Sequence, residues 1–525
     1  MTQDLLEPAK AERARKSGLV IWMEGCGAGV LLMLRYAWPH LSPLHTDLYH
    51  RMLPMNAVYG AVAIDLVAVC LMCVGVFWLL DRLDPQGKTL AWAVVAAALF
   101  TQAWAFFVGQ GYINVHLIKP VWLALVCFGI GVALWFLRRA WYRGAVKMLR
   151  GGLALLGICI VWMLPQLTYM AAHAEPHDVR QFARVVPAAR QPQRRIVWIL
   201  FDELSQDQTF DHRQPGMSLP QLDRFRSQSV MFSDVQPAGY FTELVLPSLL
   251  WGHVATAERS DLSGNLSVKS AGRWQHYQAG ETLFADAQRG GWSTGLAGWY
   301  NPYCRTYGAY LDWCGWSMRW SEIPGKYRQG ESLWWNANAP LMRAEATLTG
   351  RRNPTPLMVE NHTEDYRDLM QWSHALIDDG KIGFVFLHLP LPHPGGFYDR
   401  KTGQIGVRGS YLDNLALTDR TLGQLMEWIS QTPLASQTTV IVCSDHSWRV
   451  PLWSRTSAWT KEDEKASGGR FDPRPVLMVH FPEETAPAVV GEPFAAIREH
   501  DLVESLLRGA MTPEQLTNWA RTVSR

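Results

Sequence analysis

Glu203, Thr242, Asp445 and His446 are the residues whose types and spacing could do chemistry in this chain. Glu203 follows Asp202 at the end of the apolar run 195–201, and Asp445-His446 ends the run 438–444. Both runs read as buried parallel strands. The carboxyl ends of such strands are where ligands bind in open α/β sheets. Thr242 sits in a loop and opens the helix-forming stretch 243–252. Two carboxylates, an imidazole and a hydroxyl could hold a divalent cation. That cation would stabilise the alkoxide of an otherwise protonated threonine. A helix start adds N–H groups and the positive end of the dipole.

Taken singly, these residues have ordinary explanations. A threonine before a helix is usually an N-cap. Glu203 could be a solvated strand end, with Asp202 as the ligand instead or as a helper. His393 could be a satisfied loop histidine. An Asp-His pair at a buried strand end is hard to explain by packing. A set of three oxygens and one nitrogen suits zinc or manganese without choosing between them. No Asp-x-x-x-His pair suggests a second site, so one essential ion is expected.

Positioning these groups requires an α/β domain. Strands are expected at 195–202, 230–235, 293–299, 382–389, 438–444 and 475–481. Helices are expected at 243–252, 280–290, 363–378, 411–431 and 498–509. Apolar β-rich runs alternating with helical periods indicate a mainly parallel sheet covered on both faces. The stretch 300–360, rich in Trp, Tyr, Gly and Pro, reads as an insertion over the active face.

The 525 residues carry a net charge of +2, which leaves no footprint for nucleic acid as a partner. Residues 1–171 are mostly apolar, and five stretches are long enough to span a bilayer: 18–37, 56–80, 89–110, 119–137 and 152–171. The first carries Glu24 and is followed by further spans, unlike a cleavable signal. Lys and Arg gather before span one, between spans two and three, and between spans four and five. The positive-inside rule then puts the N-terminus in the cytoplasm and the C-terminal domain outside. The expected organisation is a transmembrane domain at 1–171, a linker at 172–194 and a catalytic domain at 195–525. Ala172-His-Ala174 resembles a signal-peptidase site, a short pattern with little weight. Within the spans, Glu24 and Asp65 are costly in lipid and are functional candidates, or form a structural pair with Arg35. Of the 8 cysteines, Cys304 and Cys314 have a spacing that can close a disulfide in an oxidising compartment.

The order strand–acid, Thr before Leu-Pro-Ser-Leu, His388-x-x-x-x-His393, then a strand ending Ser-Asp-His resembles the alkaline phosphatase/sulfatase superfamily. With its five-span anchor, the chain looks like the phosphoethanolamine transferases that modify lipid A, and like lipoteichoic acid synthase. The resemblance implies an alkaline-phosphatase-like catalytic domain. It makes Glu203, Asp445 and His446 metal ligands, and Thr242 both ligand and nucleophile. It makes His393 a phosphate contact or leaving-group acid, with His388 as a second candidate. Relatives often carry a further histidine after the Asp-His pair. Here Arg449 follows and could supply the phosphate contact through its fork. Sulfatases of the superfamily need Cys or Ser in a Cys/Ser-x-Pro-x-Arg motif. Thr242 and the missing Arg argue against sulfate-ester chemistry.

The resemblance thus implies a membrane enzyme that moves a phospholipid head group, phosphoethanolamine or phosphoglycerol. The path runs through a phospho-threonine to a glycan or lipid A acceptor. A hydrolase using the same intermediate is the alternative, and an inactive sensor or assembly partner a second. The expected location is the inner membrane, multi-pass, with the catalytic domain periplasmic or extracellular. Trp313, Trp316, Trp320, Trp334 and Trp335 could stack on sugars, rest in the interface or simply pack.

Overall fold

The computed structural model describes residues 6–42, 55–83, scattered positions between 92 and 106, and 141–174. It also describes 179–319, 332–349, 355–482, 487–509 and 511–523. The chain divides into two compact units: 1–45, 54–175 and 327–340 form one, and 46–53, 176–326 and 341–525 the other.

The first unit contains α1 (Leu6–Ala37), α2 (Asn56–Leu80), α3 (Trp141–Gly157) and α4 (Ile160–His173). Among the described residues, Gly18–His40, Asn56–Leu80 and Gly144–His173 are long and apolar enough to cross a membrane. They overlap the expected spans one, two and five. The expected span at 119–137 lies outside the described residues, and that at 89–110 mostly does. Glycines set the packing of α1. A Cβ on Gly25 would stand 2.6 Å from the Val74 Cα, and one on Gly29 2.7 Å from the Cys70 Cα. On another face, a Cβ on Gly27 would stand 1.7 Å from the Leu153 carbonyl oxygen. In lipid, such small residues let backbones approach, because dispersion rather than water drives the association. Glu24 pairs with Arg150, whose Nε lies 2.8 Å from its carboxylate. The expected partner, Arg35, is not the one used.

The short helix Leu333–Ala337 belongs to this unit although the sequence places it far beyond the anchor. Ser332 caps it by accepting from the Trp335 N–H. Leu333 lies against Gly60, in the first turns of α2.

The second unit is built on nine strands, labelled in chain order. They are β1 (Gln181–Ala183), β2 (Arg195–Phe201), β3 (Val230–Phe232), β4 (Thr294–Trp299) and β5 (Trp313–Ser317), then β6 (Phe384–Leu389), β7 (Thr438–Cys443), β8 (Leu477–His480) and β9 (Ala488–Val490). The sheet order is β1-β5-β4-β6-β2-β7-β8-β3-β9. Its centre, β5-β4-β6-β2-β7, is parallel, and β8 is antiparallel to both neighbours. A separate three-stranded sheet spans Ala257–His276.

Period-two alternation along β2 feeds two cores. Ile196, Trp198 and Leu200 join helix α5 (Thr242–Trp251) and the helices Leu283–Arg289 and Glu499–Arg508 on one face. Val197, Ile199 and Phe201 join α6 (Thr355–Asp378) and α7 (Tyr411–Ser430) on the other. A strand buried on both faces reads as a continuous apolar run, which is why β2 stands out in the sequence.

The stretch 300–360 departs from expectation. Part of it is core sheet, since β5 pairs in parallel with β4. Trp316 is buried there, its indole N–H donating to the Val179 carbonyl at 3.1 Å. Trp334 is the one described tryptophan of the five that is broadly exposed, at 70%. Trp320 lies outside the described residues. Cys304 and Cys314 form a disulfide with their Cα atoms 5.7 Å apart, tying the helix Tyr303–Tyr307 to β5.

Candidate metal and nucleophile site

Three adjacent features of the sheet's central edge meet at one place. The chain leaves β2 at Asp202, β7 at Ser444, and β6 at Leu389. Thr242, the first residue of α5, is buried among them. Its hydroxyl oxygen lies 2.8 Å from Asp445 Oδ2 and 3.2 Å from both Asp202 Oδ2 and His446 Nε2. Asp202, Asp445 and His446 offer ligand atoms all within 4.8 Å of one another, and all three are fully buried.

Asp202 and Glu203 are separated by a turn that sequence alone does not show. Asp202 continues the strand, its N–H bonded to the Leu389 carbonyl. Glu203 has φ 66°, a left-handed conformation uncommon outside glycine. That turn aims the Glu203 carboxylate at Arg449. The Arg449 Nε donates at 2.7 Å, its Nη2 also donates, and its backbone N–H donates at 3.1 Å. The Trp453 indole N–H donates to the same carboxylate at 2.8 Å. The geometry therefore brings Asp202, rather than Glu203, to the Thr242 hydroxyl. Arg449, a candidate phosphate fork by sequence, spends Nε and Nη2 on Glu203 and Nη1 on the Tyr240 carbonyl. A second group, Asp202, Glu203 and His393, also meets the distance requirement for a shared ion.

His388, on β6, is fully buried with its Nδ1 2.7 Å from the Tyr303 hydroxyl. Its Nε2 lies 3.5 Å from Asp202 Oδ2, too far for a hydrogen bond. His393 Nδ1 lies 2.9 Å from the Pro394 carbonyl, which fixes the tautomer with the proton on Nδ1. Neighbouring residues that the sequence reading did not single out complete the wall. The Trp299 ring lies 5.0 Å from His393, 5.5 Å from His362 and 6.2 Å from His388. Its indole N–H is held by Asp365 at 3.1 Å. No motif flags His362 or Asp365, because α6 brings them in from 60 residues or more beyond β4.

Electrostatics polarise the cluster. Burial, reinforced by the Asp445 charge, pushes Asp202 well above the usual carboxylate range. Burial also opposes ionisation of Asp445, but the adjacent His446 imidazolium outweighs it and holds Asp445 low. His446 is raised because the Asp445 carboxylate overcomes the desolvation of the ring. Burial lowers His388 to about 4 and carries His393 well below its ordinary value. Both are therefore neutral at pH 7.

The residues fit a divalent ion. Asp202 Oδ1 and His388 Nε2 are buried without a hydrogen-bond partner among the described residues, an expensive state for polar atoms. The shifts of Asp202 and His446 both favour the protonated form, and a cation would compete with those protons.

The sulfatase family model matches residues 194–506. This chain belongs to the sulfatase family, within the alkaline phosphatase superfamily. Enzymes of that superfamily act on phosphate or sulfate esters and are typically dependent on divalent metal ions. No curated protein matches the chain. Similar solved structures include LtaP, a lipoteichoic acid synthase from Listeria monocytogenes, at 11% identity and TM-score 0.37, covering 63% of this chain and 76% of that one. A phosphonate monoester hydrolase of Agrobacterium radiobacter matches at 14% identity and TM-score 0.33, covering 60% and 74%. An alkaline phosphatase superfamily protein from Vibrio parahaemolyticus matches at 14% and 0.36, covering 63% and 71%.

Proposed function

We propose that this sulfatase-family chain is a membrane-anchored transferase of phospholipid head groups, phosphoethanolamine or phosphoglycerol, acting through a phospho-threonine. The observation that carries this reading is the Thr242 hydroxyl, 2.8 Å from Asp445 at the start of a helix. A threonine cannot become formylglycine, so the site favours phosphoryl over sulfuryl chemistry. The three apolar helices keep the site at a membrane, where a lipid donor lies. The positive-inside reading places it at the outer face of the inner membrane, with a glycan or lipid A as acceptor.

Asp202, Asp445, His446 and Thr242 would hold one ion, zinc or manganese, with Glu203 serving Arg449. Such an ion lowers the pKa of the coordinated hydroxyl and polarises the phosphate. Thr242 forms the new O–P bond as the bond from phosphorus to the diacylglycerol oxygen breaks. The threonine proton ends on that leaving oxygen. In the second half, the acceptor oxygen bonds to phosphorus as the bond from phosphorus to the Thr242 oxygen breaks, and the acceptor's proton, passed through His393, ends on the Thr242 oxygen. His393, neutral and with its Nδ1 proton committed to Pro394, offers Nε2 to take the acceptor's proton. This makes it a base for the acceptor rather than a standing acid.

The test is purified protein in bilayers of defined phospholipids with diacylglycerol release as readout. Release that stops on chelation and needs a hydroxyl acceptor supports the transferase. Release unchanged when water is the only acceptor supports a hydrolase instead.

A further inference from the structure

Next to Thr242 lies a group of exposed apolar side chains that the reaction above does not use. Tyr240 and Phe241 immediately precede it and are each 48% exposed. Leu452, on the turn Val450–Trp453, is 44% exposed, and Phe471 37%. Ring contacts link most of the group, and Leu452 is the chain neighbour of Trp453. The Tyr240 and Phe471 rings lie 6.1 Å apart, and the Arg449 guanidinium sits 5.9 Å from the rings of both Phe241 and Trp453. Exposed Arg455 and Arg470 flank Leu452 and Phe471 in sequence. Large apolar side chains clustered at a site mouth mark an interaction surface rather than scattered surface residues.

The chemistry of this rim fits a lipid interface. Tyr and Trp favour the head-group level, Phe and Leu the acyl boundary, and flanking Arg the anionic lipids.

We propose that Tyr240, Phe241, Leu452 and Phe471 form a rim that enters the bilayer surface and seats the glycerol–acyl end of a phospholipid beside Thr242. It rests on the head-group reading for its consequence, but not for its existence.

Two measurements on the full chain in nanodiscs of phosphatidylethanolamine and phosphatidylglycerol test it. The first compares wild type with the triple variant Tyr240→Ser, Leu452→Ser, Phe471→Ser. Two rates are read: diacylglycerol release from the bilayer, and cleavage of soluble bis(p-nitrophenyl) phosphate. The ratio of the first to the second should fall at least tenfold, and Leu452→Trp should keep it. A ratio that does not change, or two rates that collapse together, overturns the rim. The second places a photoreactive benzophenone amino acid at Leu452 and seeks adducts to alkyne-tagged phospholipid. Adducts support the rim even where wild type releases no diacylglycerol, an outcome that sinks the head-group reading alone. Absence of adducts overturns the rim whatever the reaction.

Discussion

Exchanging the two adjacent acids should separate structure from metal binding. Glu203→Gln removes the charge that neutralises Arg449, whose side chain is 12% exposed while that of Glu203 is fully buried. An uncompensated buried charge costs about 3–5 kcal/mol. Gln keeps an acceptor for Trp453 and part of the fork, so the lower end applies, about 3 kcal/mol. In a domain of this size that is a fall in Tm of about 4 °C. The bound ion should remain near wild-type occupancy. Asp202→Asn should do the reverse. It removes one acid from a cluster of like charges, so chelated protein loses little stability or gains some. Metal content should fall at least tenfold, because a neutral amide replaces a carboxylate ligand. The assay is thermal unfolding with and without chelator, paired with elemental analysis of protein purified in excess zinc or manganese. Metal lost in Glu203→Gln, with an unchanged Tm of the chelated form, would refute the reasoning and make Glu203 the ligand.

Three further outcomes are expected. Glu499 is buried at the start of a helix facing Cys443, and burial raises it to about 8. A carboxyl raised in the folded state contributes stability below its unfolded pKa and loses it as pH rises through the folded one. Stability should therefore decline from about pH 4.5 to about pH 8, and Glu499→Gln should flatten that slope in pH-dependent denaturant unfolding. A slope of the same size in the variant would exclude Glu499 as its source. Cys304 and Cys314 should resist alkylation in unfolded, unreduced protein, with a mass gain at both only after reductant. Gly27→Leu in α1 cannot fit against the Leu153 carbonyl, so folded yield in detergent should collapse, whereas Gly18→Leu, with open space around it, should be tolerated.

Much of the sheet was legible because a strand buried on both faces leaves an uninterrupted apolar run. The expected strands at 195–202, 382–389 and 438–444 coincide with β2, β6 and β7 to within two residues. Two strands at one side of the sheet, β1 and β5, were not legible. Gln181–Ala183 is too short to show a period, and β5, Trp-Cys-Gly-Trp-Ser, hides among aromatic and glycine residues that also mark loops. Its place in the sheet depends on pairing with β4, which is tertiary information. At the site, Thr242, Asp445 and His446 stood out because each ends or opens an element. That Asp202, and not Glu203, faces the Thr242 hydroxyl depends on the left-handed turn at Glu203, which no residue type announces. Trp299, His362 and Asp365 came from packing alone.

The most direct test of a threonine nucleophile is the mass of the peptide containing Thr242. The protein would be purified from its own membranes, and in parallel acid-quenched after brief incubation with metal and mixed phospholipids. The account predicts a phosphoethanolamine or phosphoglycerol adduct on Thr242, absent after chelation. A bare threonine under both conditions, in protein that still turns over phospholipid, would contradict it.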